Sequence, residues 1–318
     1  MKRIMILAAI LAAFASACGS SNTTATPATA TPTTAVTTTA VPTTTAAPTT
    51  VAPTTEAPAF AQHVVSLSPT ATEILFAIGA GDQVVAVDSL SNYPAEAPVT
   101  DLSAFEPNVE AISGYEPDLV VTSYDPGDLV DGLSAIGVDS LVQPAASSLA
   151  DTYSQIEDLG AVTGHQQEAA DLVDEIKTEL IDLVSNVPDS SGVAFFHEID
   201  STLYTATSST FIGEIYNLFG LENIADAADA DGSAFGFPQL SNEYIIDANP
   251  DIIFLSDSLY SGEDAQSVAA RPGWNTILAV QTGNVVTLND DIASRWSPRI
   301  VELAGSIAAA LEQLAVPA

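Results

Sequence analysis

The chain has 318 residues, with 41 acidic side chains against six Lys plus Arg and a formal net charge of −35. Such a surface repels nucleic acid and anionic headgroups, which argues against both as partners. Cys18 is the single cysteine, so no intramolecular disulfide can form and no cysteine-held metal cluster can assemble.

In chain order, Lys2 and Arg3 lead into an apolar run from Ile4 to Phe14 and then into Ala15, Ser16 and Ala17. That layout predicts a secretory signal over residues 1–17, too short for a permanent span. The ASAC ending resembles a bacterial lipobox, with Ala15 where Leu is usual. The resemblance implies that Cys18 carries lipid and becomes the mature N-terminus. Residues 18–59 are dominated by Thr, Ala, Pro, Ser and Val. That composition buries no core, so the segment reads as a disordered tether. It would reach about 35 Å as a flexible coil and on the order of 120 Å as polyproline II. The expected location is the outer face of the cytoplasmic membrane, held by lipid, which is the periplasmic side where a second membrane exists.

From His63 onward short apolar runs alternate with helical patterns: HVVSL, VVAV, LVVTS and SLVQ, then VAFFHEI, IIFLS and NVVTL. Continuous apolar strands between helices predict parallel α/β sheets buried on both faces. The length suits two lobes, residues 60–148 and 191–318, joined by a helical connector over 149–190. Within the connector, His165 to Asn186 reads as one long helix. Leu172, Val173, Ile176, Leu180, Leu183 and Val184 fall on one face, and Pro188 stops it.

The lobes carry an internal echo. EAISGYEPDLV at 110–120 and EYIIDANPDII at 243–253 share a Glu, an Ile two positions on, and Pro-Asp before a strand. Two residues before each Glu stands a helix N-cap, Asn108 or Ser241. An acid in a first helical turn offsets the helix dipole, worth about 0.3–1 kcal/mol. The functional reading is that Glu110 and Glu243, one per lobe, dock onto paired basic sites of a two-fold partner.

VVSLSPTATEILFAIGAGDQVVAV, NYP at 92–94, NVEAISGYEPDLVV, TFIGEIYNLFGLENI, PQLSNEYIIDANPDII, RPGW and SRWSPRI together resemble one family across residues 63–315. It is the helix-linked substrate-binding proteins of ABC importers, which take cobalamin, haem or ferric siderophores. The resemblance implies two α/β lobes bridged by a stiff helix, a ligand held between them, and docking of Glu110 and Glu243 on arginines of a permease dimer served by an ATPase. SLSPTATE, NYP and SPRI are most similar to the cobalamin type. Such receptors often place a Trp shortly before the docking Glu, where this chain has Phe105.

A ligand of that size needs flat apolar contacts and a few directed polar groups. The candidates are Tyr93 of NYP, Phe105, His197 and Glu198 at the end of VAFFHEI, and Arg295 and Trp296 expected at the start of the last helix. Ser68, Pro69 and Thr70 join them because the family's equivalent turn faces the cleft, although Thr70 to Glu73 also reads as a capping box. His197 could be an axial ligand to haem iron or cobalt, a hydrogen-bonding contact, or a satisfied structural residue. His63 and His165 lie apart from it, so no three-histidine metal site is expected. Trp274 reads as packing.

No Gly-x-Ser-x-Gly elbow, phosphate-binding glycine loop, paired metal-histidine motif or candidate catalytic cysteine is visible. No catalytic residue and no intrinsic cofactor are therefore expected. The expected function is a monomeric receptor that delivers a metal chelate, a corrinoid first and a ferric siderophore or haem second. A surface enzyme or adhesion module on the same fold is the alternative of a different class. In SRWSPRI, Arg295 is expected to meet an anionic group on the ligand, and Arg299, expected in the first turn of the last helix, to pair with a nearby acid.

Overall fold

The computed structural model describes residues 60–314. The expected signal, Cys18 and the tether lie outside the described residues.

The first lobe contains β1 (Val64–Leu67), α1 (Pro69–Ala77), β2 (Val84–Val87), α2 (Val109–Ser113), β3 (Leu119–Thr122), α3 (Leu129–Ala135) and β4 (Asp139–Val142). Two helices follow, α4 (Leu149–Thr163) and α5 (Gln166–Asn186). The second lobe contains β5 (Ala194–Glu198), α6 (Phe211–Leu218), β6 (Glu222–Asn223), α7 (Asn242–Ala248), β7 (Ile252–Leu255) and α8 (Ser258–Ser261). It continues through α9 (Ala265–Ala270), α10 (Leu278–Thr282), β8 (Val285–Thr287) and α11 (Asp290–Ser294), and α12 (Ile300–Leu314) closes the chain.

Each lobe has a four-stranded sheet, and both are parallel throughout, in the order β2-β1-β3-β4 and β6-β5-β7-β8. The two-residue β6 lies inside the LENI stretch and is too short for any periodic pattern to announce it. Successive residues of a strand face opposite sides of its sheet, so the central strands must be apolar throughout. Val64 and Val121 join a core shared with α4, α5 and α12, whereas Val65 and Val120 join a separate cluster with Leu129 and Leu133. In the second lobe Phe195 and Phe254 face the shared core, and Phe196 and Ile253 pack with the fully buried Trp274.

The long helix is 21 residues and runs about 32 Å at 1.5 Å per residue. Val173, Ile176 and Leu180 are buried on its apolar face, with Leu172, Leu183 and Val184 packed beside them. Lys177 lies 4.8 Å from the centre of the Tyr153 ring on α4, so the pair of helices is also joined on its outer side.

The echo has a structural cause. Glu116 and Asn249, the residues before each Pro-Asp, both take a left-handed conformation, with φ 51° and 48°. That turns the chain sharply into the next strand. The aspartate then holds the start of the neighbouring strand. Asp118 accepts from the backbone N–H of Gln62 and His63 at 2.8 and 3.1 Å, and Asp251 accepts from that of Ala194 at 2.8 Å. The predicted caps form as well: Asn108 accepts from the N–H of Ala111, and Ser241 from that of Tyr244.

One local expectation is corrected. Helix α1 is capped by Ser68, with Pro69 at its first position, and Thr70 to Glu73 forms no capping box. Proline fixes the start of the helix at residue 69, which carries Glu73 past the first turn and into the protein interior.

Candidate functional site

Parallel sheets present ligands beyond the carboxyl ends of their strands, and a cavity of about 680 Å³ lies there in the second lobe. Its wall takes Ile199 and Asp200 from just after β5, and Ser256 and Asp257 from just after β7. Helix α6 adds Phe211 and Ile212, and α11 adds Asp290, Ala293 and Ser294. Ala145, Ala146 and Ser147, from the segment between β4 and α4, close it from the other side, and Trp296 completes the apolar surface.

Phe235 and Phe237 reach the cavity from a loop held by a buried acid. Asp229 accepts from the backbone N–H of Ala234 and Gly236 at 2.8 and 2.7 Å. Gly236 has φ 87°, and a side chain there would meet Thr210 at 2.6 Å, so glycine is required for that close approach. The loop is thus pinned at its base and leaves Phe235 89 % exposed, with Tyr260 69 % exposed nearby on the cavity wall. Exposed aromatics beside an apolar cavity offer a face to a flat ligand.

Of the nine residues proposed from sequence for ligand contact, Trp296 lines this cavity. Its indole N–H donates to the side-chain oxygen of Gln155 on α4 at 2.8 Å, which fixes the ring. His197 and Glu198 end the strand just short of the cavity, and the next two residues, Ile199 and Asp200, take their place. Ser68 and Thr70 are buried around the start of α1, and Ser68 accepts from the Ser123 hydroxyl at 3.0 Å. Pro69 serves as the first residue of that helix. Phe105 is exposed and lies against Tyr124, with 6.2 Å between ring centres, on the rim of the first lobe. Tyr93 lies under the Arg299 guanidinium at 4.1 Å.

His197 is fully buried and both ring nitrogens are engaged. Nδ1 lies 2.8 Å from the Tyr216 hydroxyl and Nε2 lies 3.2 Å from Ser256 Oγ. Ser256 donates its proton to the Glu198 carbonyl at 2.8 Å, so a consistent network has Nε2–H donating to Ser256 and Tyr216 donating to Nδ1. Burial pushes the imidazole down to about 4, so it is neutral at ordinary pH. Held in this way, His197 is no open axial ligand; of its three readings, the structure supports the satisfied structural one. Among the described residues no group of three or more His, Cys, Asp or Glu could hold a metal ion.

Glu198 forms a two-pronged pair with Arg271 at 2.5 and 2.6 Å, and Arg271 also reaches Glu263 at 2.8 Å. The guanidinium lies 4.5 Å from the Trp274 ring, whose N–H donates to Asn242 at 2.8 Å. This cluster therefore ties the end of β5 to the start of α7, next to Glu243. Both Glu110 and Glu243 are exposed on the first turns of α2 and α7.

The arginines of SRWSPRI are corrected most sharply. Residues 295–299 form the link between α11 and α12, so none of them lies in the last helix. Arg295 donates to Glu73 and Asn92 through one terminal nitrogen, at 2.8 and 2.9 Å, and to the Leu90 carbonyl and Asp291 through the other, at 3.2 and 2.8 Å. Arg299 grips the same Glu73 with two bonds, at 2.9 and 2.6 Å. Glu73, Leu90 and Asn92 belong to the first lobe, so both arginines tie the lobes together. Arg299 pairs with an acid as expected; Arg295 is committed to the same acid and is not available to a ligand here. Sequence could not show this, because Glu73 lies over two hundred residues away and reads locally as a cap.

A protein-family model described as periplasmic binding protein matches residues 64–292. An ABC transporter substrate-binding lipoprotein of Bacillus subtilis, itself uncharacterised, is 32 % identical over 249 residues, covering 75 % of this chain and 76 % of its own. A cobalamin-binding protein of Halobacterium salinarum is 30 % identical over 251 residues, covering 76 % and 67 %. Among solved structures, the periplasmic vitamin B12 binding protein of Vibrio cholerae superposes with a TM-score of 0.63 at 25 % identity, over 80 % of this chain and 97 % of that one.

Proposed function

The chain belongs to the periplasmic binding protein family, and from that premise we propose that it captures a corrinoid outside the cell and hands it to an ABC permease and its ATPase. The observation that carries the choice of ligand is the charge of the cavity wall. Asp200, Asp257 and Asp290 line it, and among the described residues neither lysine nor arginine does. A haem presents carboxylates, which such a wall repels, and a ferric siderophore of net negative charge fares no better. A corrinoid presents a flat, largely apolar macrocycle edged with neutral carboxamides, which suits aromatic walls and hydrogen-bond acceptors. The similarity to a cobalamin-binding protein supports the same ligand.

Haem or a ferric siderophore is the second reading, and a surface enzyme or adhesion module the reading of another class. The family is one of binding proteins rather than enzymes. Lipidation of Cys18 after loss of residues 1–17, a tether over 18–59 and action as a monomer belong to the same proposal. Among the described residues, no helix is long and apolar enough to cross a membrane.

The test is a thermal-shift and calorimetric titration of the full chain with cyanocobalamin, haemin and ferric siderophores. Cyanocobalamin at a hundred times its Kd should stabilise the protein by about 2.7 kcal/mol. Stabilisation by haemin or a siderophore alone would transfer the proposal to the second reading, and no effect from any of them would remove it.

A further inference from the structure

Asp257 stands out among the buried acids. It is 4 % exposed, it lies in the cavity wall, and neither carboxyl oxygen has a hydrogen-bond partner among the described residues. Such a group is costly, because the desolvation of an acid is uncompensated without a donor.

Its position in the chain makes the missing partner more telling. Asp257 occupies the N-cap of α8, where an aspartate ordinarily accepts from the helix's first N–H groups. It makes no such bond. Asp290 has taken over that task, accepting from the N–H of Leu259 and Tyr260 at 3.0 Å. A second carboxylate is therefore spent on the cap, and Asp257 is left for another donor. The equivalent acids in this region are all occupied: Glu198 by Arg271, and Asp229 by two backbone N–H groups.

We propose that Asp257, once its buried carboxyl turns into the cavity, is the specificity-determining acceptor there, taking a hydrogen bond from a carboxamide N–H on the ligand's edge. The assignment rests on the corrinoid reading above and deepens it. An amide supplies the donor that the protein withholds, and it brings no charge into a wall that already contains Asp200 and Asp290. A ligand carboxylate at the same point would confront Asp257 directly. Burial, with Glu198 and Glu263 nearby, raises the Asp257 carboxyl to about 7, against the smaller lowering influence of its own backbone N–H and of Arg271. Near neutrality it can thus accept an amide N–H as a carboxylate, or donate to an amide oxygen as an acid.

The experiment compares the full chain with its Asp257→Asn and Asp257→Ala variants. The probes are cyanocobalamin and the set of its monocarboxylic derivatives, in each of which one peripheral amide has been hydrolysed. For Asp257→Ala, cyanocobalamin affinity should fall about tenfold or more, the scale of losing one hydrogen bond to a charged group. Asp257→Asn should fall in between, and the thermal midpoint of the ligand-free variants should hold or rise. The ligand series needs no variant: at least one monocarboxylic derivative should bind the unaltered chain about tenfold more weakly, and Asp257→Asn should narrow that gap. A folded Asp257→Ala protein that binds cyanocobalamin within twofold of the unaltered chain overturns the assignment while the corrinoid reading stands. So does equal binding of every derivative. An unaltered chain that binds no corrinoid removes the reading and the assignment together.

Discussion

The two lobes use one plan and finish it differently. In both, an aspartate after proline fastens the first strand, and a serine just beyond the central strand ties back to the first strand's end. Ser123 bonds to Ser68 in one lobe, and Ser256 bonds to the Glu198 carbonyl in the other. The next residue diverges. Tyr124 of the first lobe is 39 % exposed and lies against Phe105, whereas Asp257 of the second is enclosed in the cavity wall. The repeat therefore holds the strands in place, and the position one residue past the repeat is where the lobes acquire separate tasks. The first offers an aromatic rim, and the second holds the polar group of the cavity.

That comparison can be broken or sharpened at several points. The largest effect is expected at Glu110 and Glu243, the two glutamates proposed to dock on the permease. Glu110→Ala with Glu243→Ala should abolish uptake in cells while leaving ligand affinity intact, and each single change should cost a comparable share if the lobes dock equivalently. Loss of affinity in step with uptake would instead indicate damage to the fold.

Next come the two buried acid–arginine clusters, one between the lobes and one within the second. Removing one partner of a buried pair leaves an uncompensated charge, worth about 3–5 kcal/mol. Glu73→Ala strands Arg295 and Arg299, and Arg271→Ala strands Glu198, so both should lower the unfolding free energy, read from equilibrium denaturation, by that amount. Only Glu73→Ala should also loosen the contact between lobes, seen as faster hydrogen exchange around residues 90–92. Equal exchange there in both variants would deny the cluster its tying role.

The pH profile separates neighbours of opposite sign. Burial lowers the His197 imidazole to about 4, so the unfolded chain takes up its proton first, and the stability His197 contributes above about 6.5 is lost as pH falls towards 4. Asp257 is raised to about 7, so the folded chain holds its proton over a range where the unfolded chain has released it. Its contribution is greatest below about 4 and is lost as pH rises through 7. The two slopes oppose each other over most of that interval. Asp257→Asn should leave a ligand-free stability that climbs more steeply between pH 4 and 6.5 in equilibrium unfolding; an unchanged slope would place Asp257's titration elsewhere.

The smallest effect tests the repeat itself. Asp118→Ala and Asp251→Ala each remove acceptors from the start of a first strand and should cost about 1–2 kcal/mol apiece. A wide gap between them would show that the echo is not energetically symmetrical.

Much of this was legible in the chain. Apolar runs gave every strand but the two-residue β6, most clearly the central β1, β3, β5 and β7, because a parallel strand covered on two faces has no polar side to hide it. The three-to-four spacing after His165 gave the long helix, and the caps Asn108 and Ser241 placed Glu110 and Glu243 in first helical turns. Site residues were harder to read. His197 and Glu198 were placed one step too early, since the point at which a buried strand opens into a cavity depends on the elements packed over it. Asp257 carried no local signal at all, because an aspartate before a short helix reads as its cap.

SRWSPRI marks the same boundary. The sequence alone determined that a nearly cation-free protein keeps two arginines four residues apart. Only the tertiary structure decided that both close on Glu73, because an ion pair between lobes is set by how the lobes pack and not by spacing along the chain. The fold follows from periodic burial, which is written locally. The partners of its charges follow from distance in space, which the sequence does not contain.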